Sequence, residues 1–119
     1  MDYDAVEAAV NENTKAIIPV DLGGVPCNYD RIFEIVKSKR NLFKPNGEIQ
    51  EALGRIAVCA DTAHALGATW HGRWLALSPI SARSAPCVKN LTTAEGGCLA
   101  WRAISDIDSE AMYKKLQLL

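Results

Sequence analysis

The chain has 119 residues, 49% of them apolar and 23% charged, with a net charge of −1. That balance is the one expected of an ordinary globular domain with a core. It gives no broad electrostatic pull toward nucleic acid or an anionic membrane, and no apolar run reaches the roughly 18 residues of a membrane span. The opening MDYDAVEAAV is acidic and lacks the basic-then-apolar order of a signal peptide, so a cytoplasmic protein is expected.

In chain order, Tyr3 to Val10 place Val6, Ala9 and Val10 on one helical face, and Asn11, Asn13 and Thr14 break that helix. KAIIPV (Lys15–Val20) reads as a buried strand, with Pro19 near its end where a missing ladder donor is tolerated. The turn-rich DLGGVPCN (Asp21–Asn28) follows. Asn28 is a cap for a helix from Tyr29 to about Lys39, with Ile32, Ile35 and Val36 as its apolar stripe. After the loop Asn41–Glu48, Asn46 is expected to cap a helix reaching about Gly54. IAVCA (Ile56–Ala60) is a second buried strand, and DTAHALGA (Asp61–Ala68) a short helical segment. TWHGRWLAL suits a turn and short strand, GGCLAW (Gly96–Trp101) another strand, and Asp108 opens a last helix.

Strands alternating with helices predict an α/β fold: a mostly parallel sheet flanked by helices, in a single domain over residues 1–119. In such sheets functional residues gather where loops leave the carboxyl ends of strands. Two places qualify, Asp21–Gly24 and Asp61–His64. Asp61 follows an apolar strand, and a carboxylate there could cap a helix or face a bound heterocycle. Lys89, in CVKNLTTAEGG, stands between an apolar stretch and a polar turn. A desolvated lysine amine can form a Schiff base, whereas most lysines are solvated surface charges. Cys27, Cys59, Cys87 and Cys98 form no CxxC pair, and His64 and His71 complete no ligand set, so reduced thiols and no metal site are expected.

A strand ending in aspartate, followed 28 positions later by an apolar-flanked lysine and a glycine-rich turn, resembles enzymes dependent on pyridoxal 5'-phosphate (PLP). The wording of Thr14–Ile32, Ala57–Ala68 and Val88–Gly97, taken together, resembles the DegT/DnrJ/EryC1/StrS family of sugar aminotransferases. The resemblance implies a partial PLP-transferase large domain and a cofactor, PLP. It implies that Asp61 pairs with the pyridinium nitrogen and that His64, one turn on, lies beside the cofactor. A helix-surface or core histidine is the alternative for His64. Lys89 matches the lysine that holds the cofactor and moves the proton during amine transfer. Ser84 falls at a serine that contacts the cofactor phosphate. The implied substrates are an amino-acid donor, commonly glutamate, and a nucleotide-linked keto sugar, with a homo-oligomer as the working state.

Family members run to roughly three times this length. The expected N-terminal phosphate contact and C-terminal small domain have no counterpart in these residues, so a fragment inactive by itself is expected. Within the chain, LSPISARSAPCVKN stands where members read something like LADFSSFSFHAVKN. Codons for Ala-Asp-Phe-Ser-Ser-Phe-Ser, read one base late, give Pro-Ile-Ser-Ala-Arg-Ser-Ala, the residues Pro79 to Ala85. A local frameshift is therefore an expectation, and under it Ser84 is a coincidence. The alternative function is a small module without catalysis that self-associates or binds a partner through Trp70, Trp74, Leu75 and Leu77, each equally suited to a core.

Overall fold

The computed structural model describes residues 1–75, 99–101 and 103–117. Helix α1 (Tyr3–Ala9) starts where Asp2 accepts the Ala5 N–H at 3.0 Å. It stops at Val10, whose backbone is extended, and Asn11 then turns the chain by accepting the Asn13 N–H at 2.9 Å. Val10 is buried and Val6 packs against the core, but Ala9 is exposed, so the expected apolar face is narrower by one residue.

Strand β1 (Ala16–Ile17) and strand β2 (Ala57–Val58) run parallel, pairing Ala16 with Ala57 and Ile17 with Val58. A further parallel bridge joins Val20 to Asp61. The sheet is therefore shorter than the two apolar runs suggested. It is also buried on one face rather than two. Ile17 and Pro19 point inward, whereas Ile18 is 68% and Val20 46% exposed. A two-residue period within an apolar run explains both outcomes: the inward set meets the helices and the outward set meets solvent.

Helix α2 (Tyr29–Ser38) fills the crossover. Asn28 caps it by accepting the Arg31 N–H at 3.1 Å, as expected from its sequence. Tyr29, Ile32, Ile35 and Val36 are buried against the sheet, each aliphatic side chain worth about 1.5–3 kcal/mol on full burial. Polar contacts bind α1 to this helix and its cap. The Asn28 N–H donates to the Tyr3 hydroxyl at 2.7 Å, and the Arg31 guanidinium reaches Glu7 at 2.6 Å and Asp4 at 3.2 Å.

Helix α3 (Glu48–Leu53) begins at Gly47, not Asn46. Asn46 instead donates its N–H to the Gln50 side chain at 2.8 Å. Gly47 has φ 103°, a left-handed backbone that suits glycine. Strands β3 (Thr69–Trp70) and β4 (Arg73–Trp74) form an antiparallel hairpin. His71 and Gly72, both at positive φ (51° and 72°), make its turn, as two-residue hairpin loops require. Helix α4 (Ser109–Leu116) is capped by Asp108, which accepts the Glu110 N–H at 2.9 Å. Leu99 to Trp101 are not in a strand, and the rest of the expected GGCLAW strand lies outside the described residues.

The alternation of parallel strands and helices is the α/β arrangement expected from the sequence. It brings the carboxyl ends of β1 and β2 side by side.

Candidate functional site

Two loops leave those carboxyl ends and meet. The Asp61 N–H donates to the Pro19 carbonyl at 2.8 Å, and the Asp21 N–H donates to the Asp61 carbonyl at 2.9 Å. These bonds continue the ladder past the last regular strand residues and fix the two loops in register.

Asp21 is fully buried. Its Oδ1 accepts the Cys27 N–H at 2.8 Å, and its Oδ2 accepts the Tyr29 hydroxyl at 2.7 Å. Both carboxylate oxygens are thus satisfied inside the protein, as a buried polar group must be. Burial, then the hydrogen bond to Asp21, pushes the Tyr29 phenol well above its ordinary value, so it stays protonated and donates. Burial and the neighbouring Asp21 charge likewise raise the Cys27 thiol. Asp21 therefore anchors the loop rather than facing a ligand.

The chain then turns through Gly23 and Gly24, at φ 65° and 81°. A Cβ on Gly24 would lie 3.3 Å from the His64 carbonyl oxygen, so this turn presses closely on the second loop. The Gly23 N–H donates to His64 Nδ1 across a long 3.4 Å contact.

Asp61 is half-buried and opens no helix. The expected short helix over 61–68 is instead a pair of turns, because Asp61 Oδ1 accepts the Ala63 N–H at 3.0 Å and holds a local bend. This orients the carboxylate while Oδ2 has no protein partner among the described residues. His64, also half-buried, stands in the same loop. Asp61 and His64 are therefore brought together with the Asp21–Gly24 turn. Lys89 and Ser84, the other two expected site residues, lie outside the described residues, as does the segment Pro79–Ala85.

Sequence reasoning located both loops but missed the Cys27 and Tyr29 support beneath Asp21. Separations of six and eight residues carry no pattern that would have exposed it. The adjacent glycines were the available signal for the close approach to His64. Among the described residues no group of three or more His, Cys, Asp or Glu side chains could hold a metal ion.

The model of the DegT/DnrJ/EryC1/StrS aminotransferase family matches residues 1–116. The chain belongs to this family. Its members depend on PLP, and solved structures of sugar aminotransferases share this fold. The chain is similar to Spr1654 from Streptococcus pneumoniae, provisionally assigned as a sugar aminotransferase. In its apo form the identity is 47% and the TM-score 0.91, over 100% of this chain and 30% of that one. The PLP form of the same protein gives a TM-score of 0.88 at 47% identity, over 100% of this chain and 31% of the other. The sugar aminotransferase CalS13 from Micromonospora echinospora is 27% identical with a TM-score of 0.74, over 99% of this chain and 28% of the other. The chain thus spans 30% of the length of Spr1654 in its apo form.

Asp61 and His64 are the described residues to which the family resemblance assigns places beside PLP. A half-buried carboxylate with one oxygen unpartnered among the described residues has the chemistry to face a protonated ring nitrogen, and an imidazole in the adjoining turn could stand beside a ring.

Proposed function

We propose that this chain carries the ring-binding and lysine-bearing part of a PLP-dependent aminotransferase acting on nucleotide-linked keto sugars. On this reading residues 1–119 are one unit of a large domain that does not complete the reaction by itself. Its span of 30% of a similar protein supports that view. The observation that carries the proposal is the Asp61 carboxylate, oriented by the Ala63 N–H and standing at the joint mouth of two strand-end loops.

When bound, PLP supplies an electron sink for exchange of an amino group. Asp61 would hold the proton on the ring nitrogen through Oδ2. His64, with Nδ1 directed at the Gly23 N–H, would line the ring's side. Lys89 would bind the cofactor covalently and carry a proton between the two carbons that exchange it. Ser84 would contact the phosphate. The donor is an amino acid and the acceptor a keto sugar on a nucleotide. A homo-oligomer in the cytoplasm is the proposed setting. No helix among the described residues is long and apolar enough to cross a membrane.

The test is covalent capture. With excess PLP the chain should gain a visible absorption band, and borohydride should fix the adduct on Lys89, identified by peptide mass. Asp61→Ala should weaken that capture about tenfold or more, since a charge-assisted hydrogen bond is lost. Absence of any Lys89 adduct would end the reading.

A second reading, self-association without catalysis, has its own support in four exposed apolar side chains: Ile18, Val20, Leu22 and Val25. The residues first expected to serve it fare differently. Leu75 is buried in the core, Trp70 packs against the core, Trp74 is exposed, and Leu77 lies outside the described residues.

A further inference from the structure

Away from the PLP candidate site, a half-open cavity of about 250 Å³ is lined by Phe33, Val36, Lys37, Arg40, Leu53, Gly54 and Arg55. Three of its lining residues are cationic and none is acidic. The described ion pairs of the chain lie elsewhere, on Arg31, Lys44, His71 and Lys114. Lys37, Arg40 and Arg55 therefore have no carboxylate partner among the described residues.

Two of the three cations are held in place. Arg40 Nε donates to the Gly54 carbonyl at 3.2 Å. Gly54 is the left-handed C-cap of α3, φ 62°, and the Arg40 side chain passes 3.5 Å from where a Cβ would stand. Arg55 donates through one terminal nitrogen to the Ile56 carbonyl at 3.0 Å, and its guanidinium lies 5.3 Å from the centre of the Phe33 ring. Each bond uses part of a five-donor fork and leaves other N–H groups for a ligand. Partial burial lowers the proton affinity of the Arg55 guanidinium, as expected for a desolvated cation with no counter-charge among the described residues.

We propose that this cavity binds a small, doubly charged oxyanion of the phosphate class, free or as a phosphate ester, on Arg40, Arg55 and Lys37. Positioned guanidiniums match the paired oxygens of phosphate, and Lys37 adds a mobile point charge. The volume suits a small metabolite and falls below the range typical of larger ligands. Arg55 precedes β2 and Asp61 follows it, six residues on, or roughly 20 Å for an extended chain. The two sites are at opposite ends of the strand, so this proposal does not depend on the PLP reading.

The test is a titration of the ¹⁵N-labelled full chain with sodium phosphate, at constant ionic strength held with chloride. Saturable shifts are expected at residues 33–40 and 53–56, with the amides of Asp61 and His64 unmoved. Arg40→Gln, at an exposed position, should weaken binding about tenfold, and Arg55→Gln by as much or more. Lys44→Gln removes the same charge outside the cavity and should leave the affinity unchanged. Glycerol 3-phosphate in place of phosphate separates an ester ligand from the free ion, and binding of either supports the site. Linear, non-saturating shifts, shifts spread over the surface, or an affinity indifferent to Arg40→Gln would overturn it. So would saturable binding of succinate with none of phosphate or its ester.

Discussion

Asp21 shows how a single buried carboxylate can set the geometry of a site it does not enter. Its backbone N–H holds Asp61 in register, while its side chain accepts from Cys27 and Tyr29. Asp21→Ala leaves a buried N–H and a buried phenol without partners. It is expected to cost on the order of 3 kcal/mol, measured by urea unfolding. Asp21→Asn keeps one acceptor and should cost less. The same network makes stability pH-dependent at the alkaline end. The Cys27 and Tyr29 groups are both raised above their ordinary values of 9.0 and 10.0. Between its ordinary and its folded value, each group binds more protons in the native state than in the unfolded one. Their contribution is therefore complete below about pH 9 and is lost progressively as pH rises beyond it. Tyr29→Phe should lower stability at neutral pH and flatten the decline above pH 10. A decline of unchanged slope in that variant would place the titrating group elsewhere. The sequence marked Asp21 as a loop residue at a strand end, which it is. Complete burial depends on what covers it, and residue spacing does not report that.

At the scale of elements, capping and turn chemistry were legible because they are local. Asn28 and Asp108 cap the helices they were expected to cap. Misreadings arose where two local solutions compete. Asp61 could start a helix or bend a turn, and the Ala63 N–H settles it as a turn. Asn46 was the better cap by type, yet Gly47 takes the place at a backbone angle that favours glycine. The apolar run of β1 is the more instructive case. Ile17 is 9% exposed and its neighbour Ile18 68%. Ile17→Ala is expected to cost about 2–4 kcal/mol, and Ile18→Ala under about 1 kcal/mol in the isolated chain. Equal losses in chemical denaturation would show that both faces are covered in solution. Hydrophobic periodicity identifies a strand that prefers to be dry. It says nothing of which element does the drying.

For the whole molecule, that uncovered face is the main physical fact. Ile18, Val20, Leu22 and Val25 are 68%, 46%, 69% and 70% exposed, and all follow β1 in the chain. Exposed apolar side chains grouped in this way favour association. The chain spans 30% of a similar protein whose fold it matches at a TM-score of 0.91, so a similar fold stands within a longer chain there. The 119-residue chain in solution should therefore show concentration-dependent association in light scattering coupled to size exclusion. Ile18→Lys with Leu22→Lys should shift it toward monomer, because two cations at exposed positions oppose contact without entering the core. Circular dichroism of that variant should be unchanged, which separates lost association from lost folding. A wild-type chain that stays monomeric at high concentration would mean these side chains are tolerated in water as they stand. The apolar run of β1 would then reflect strand propensity rather than an interface.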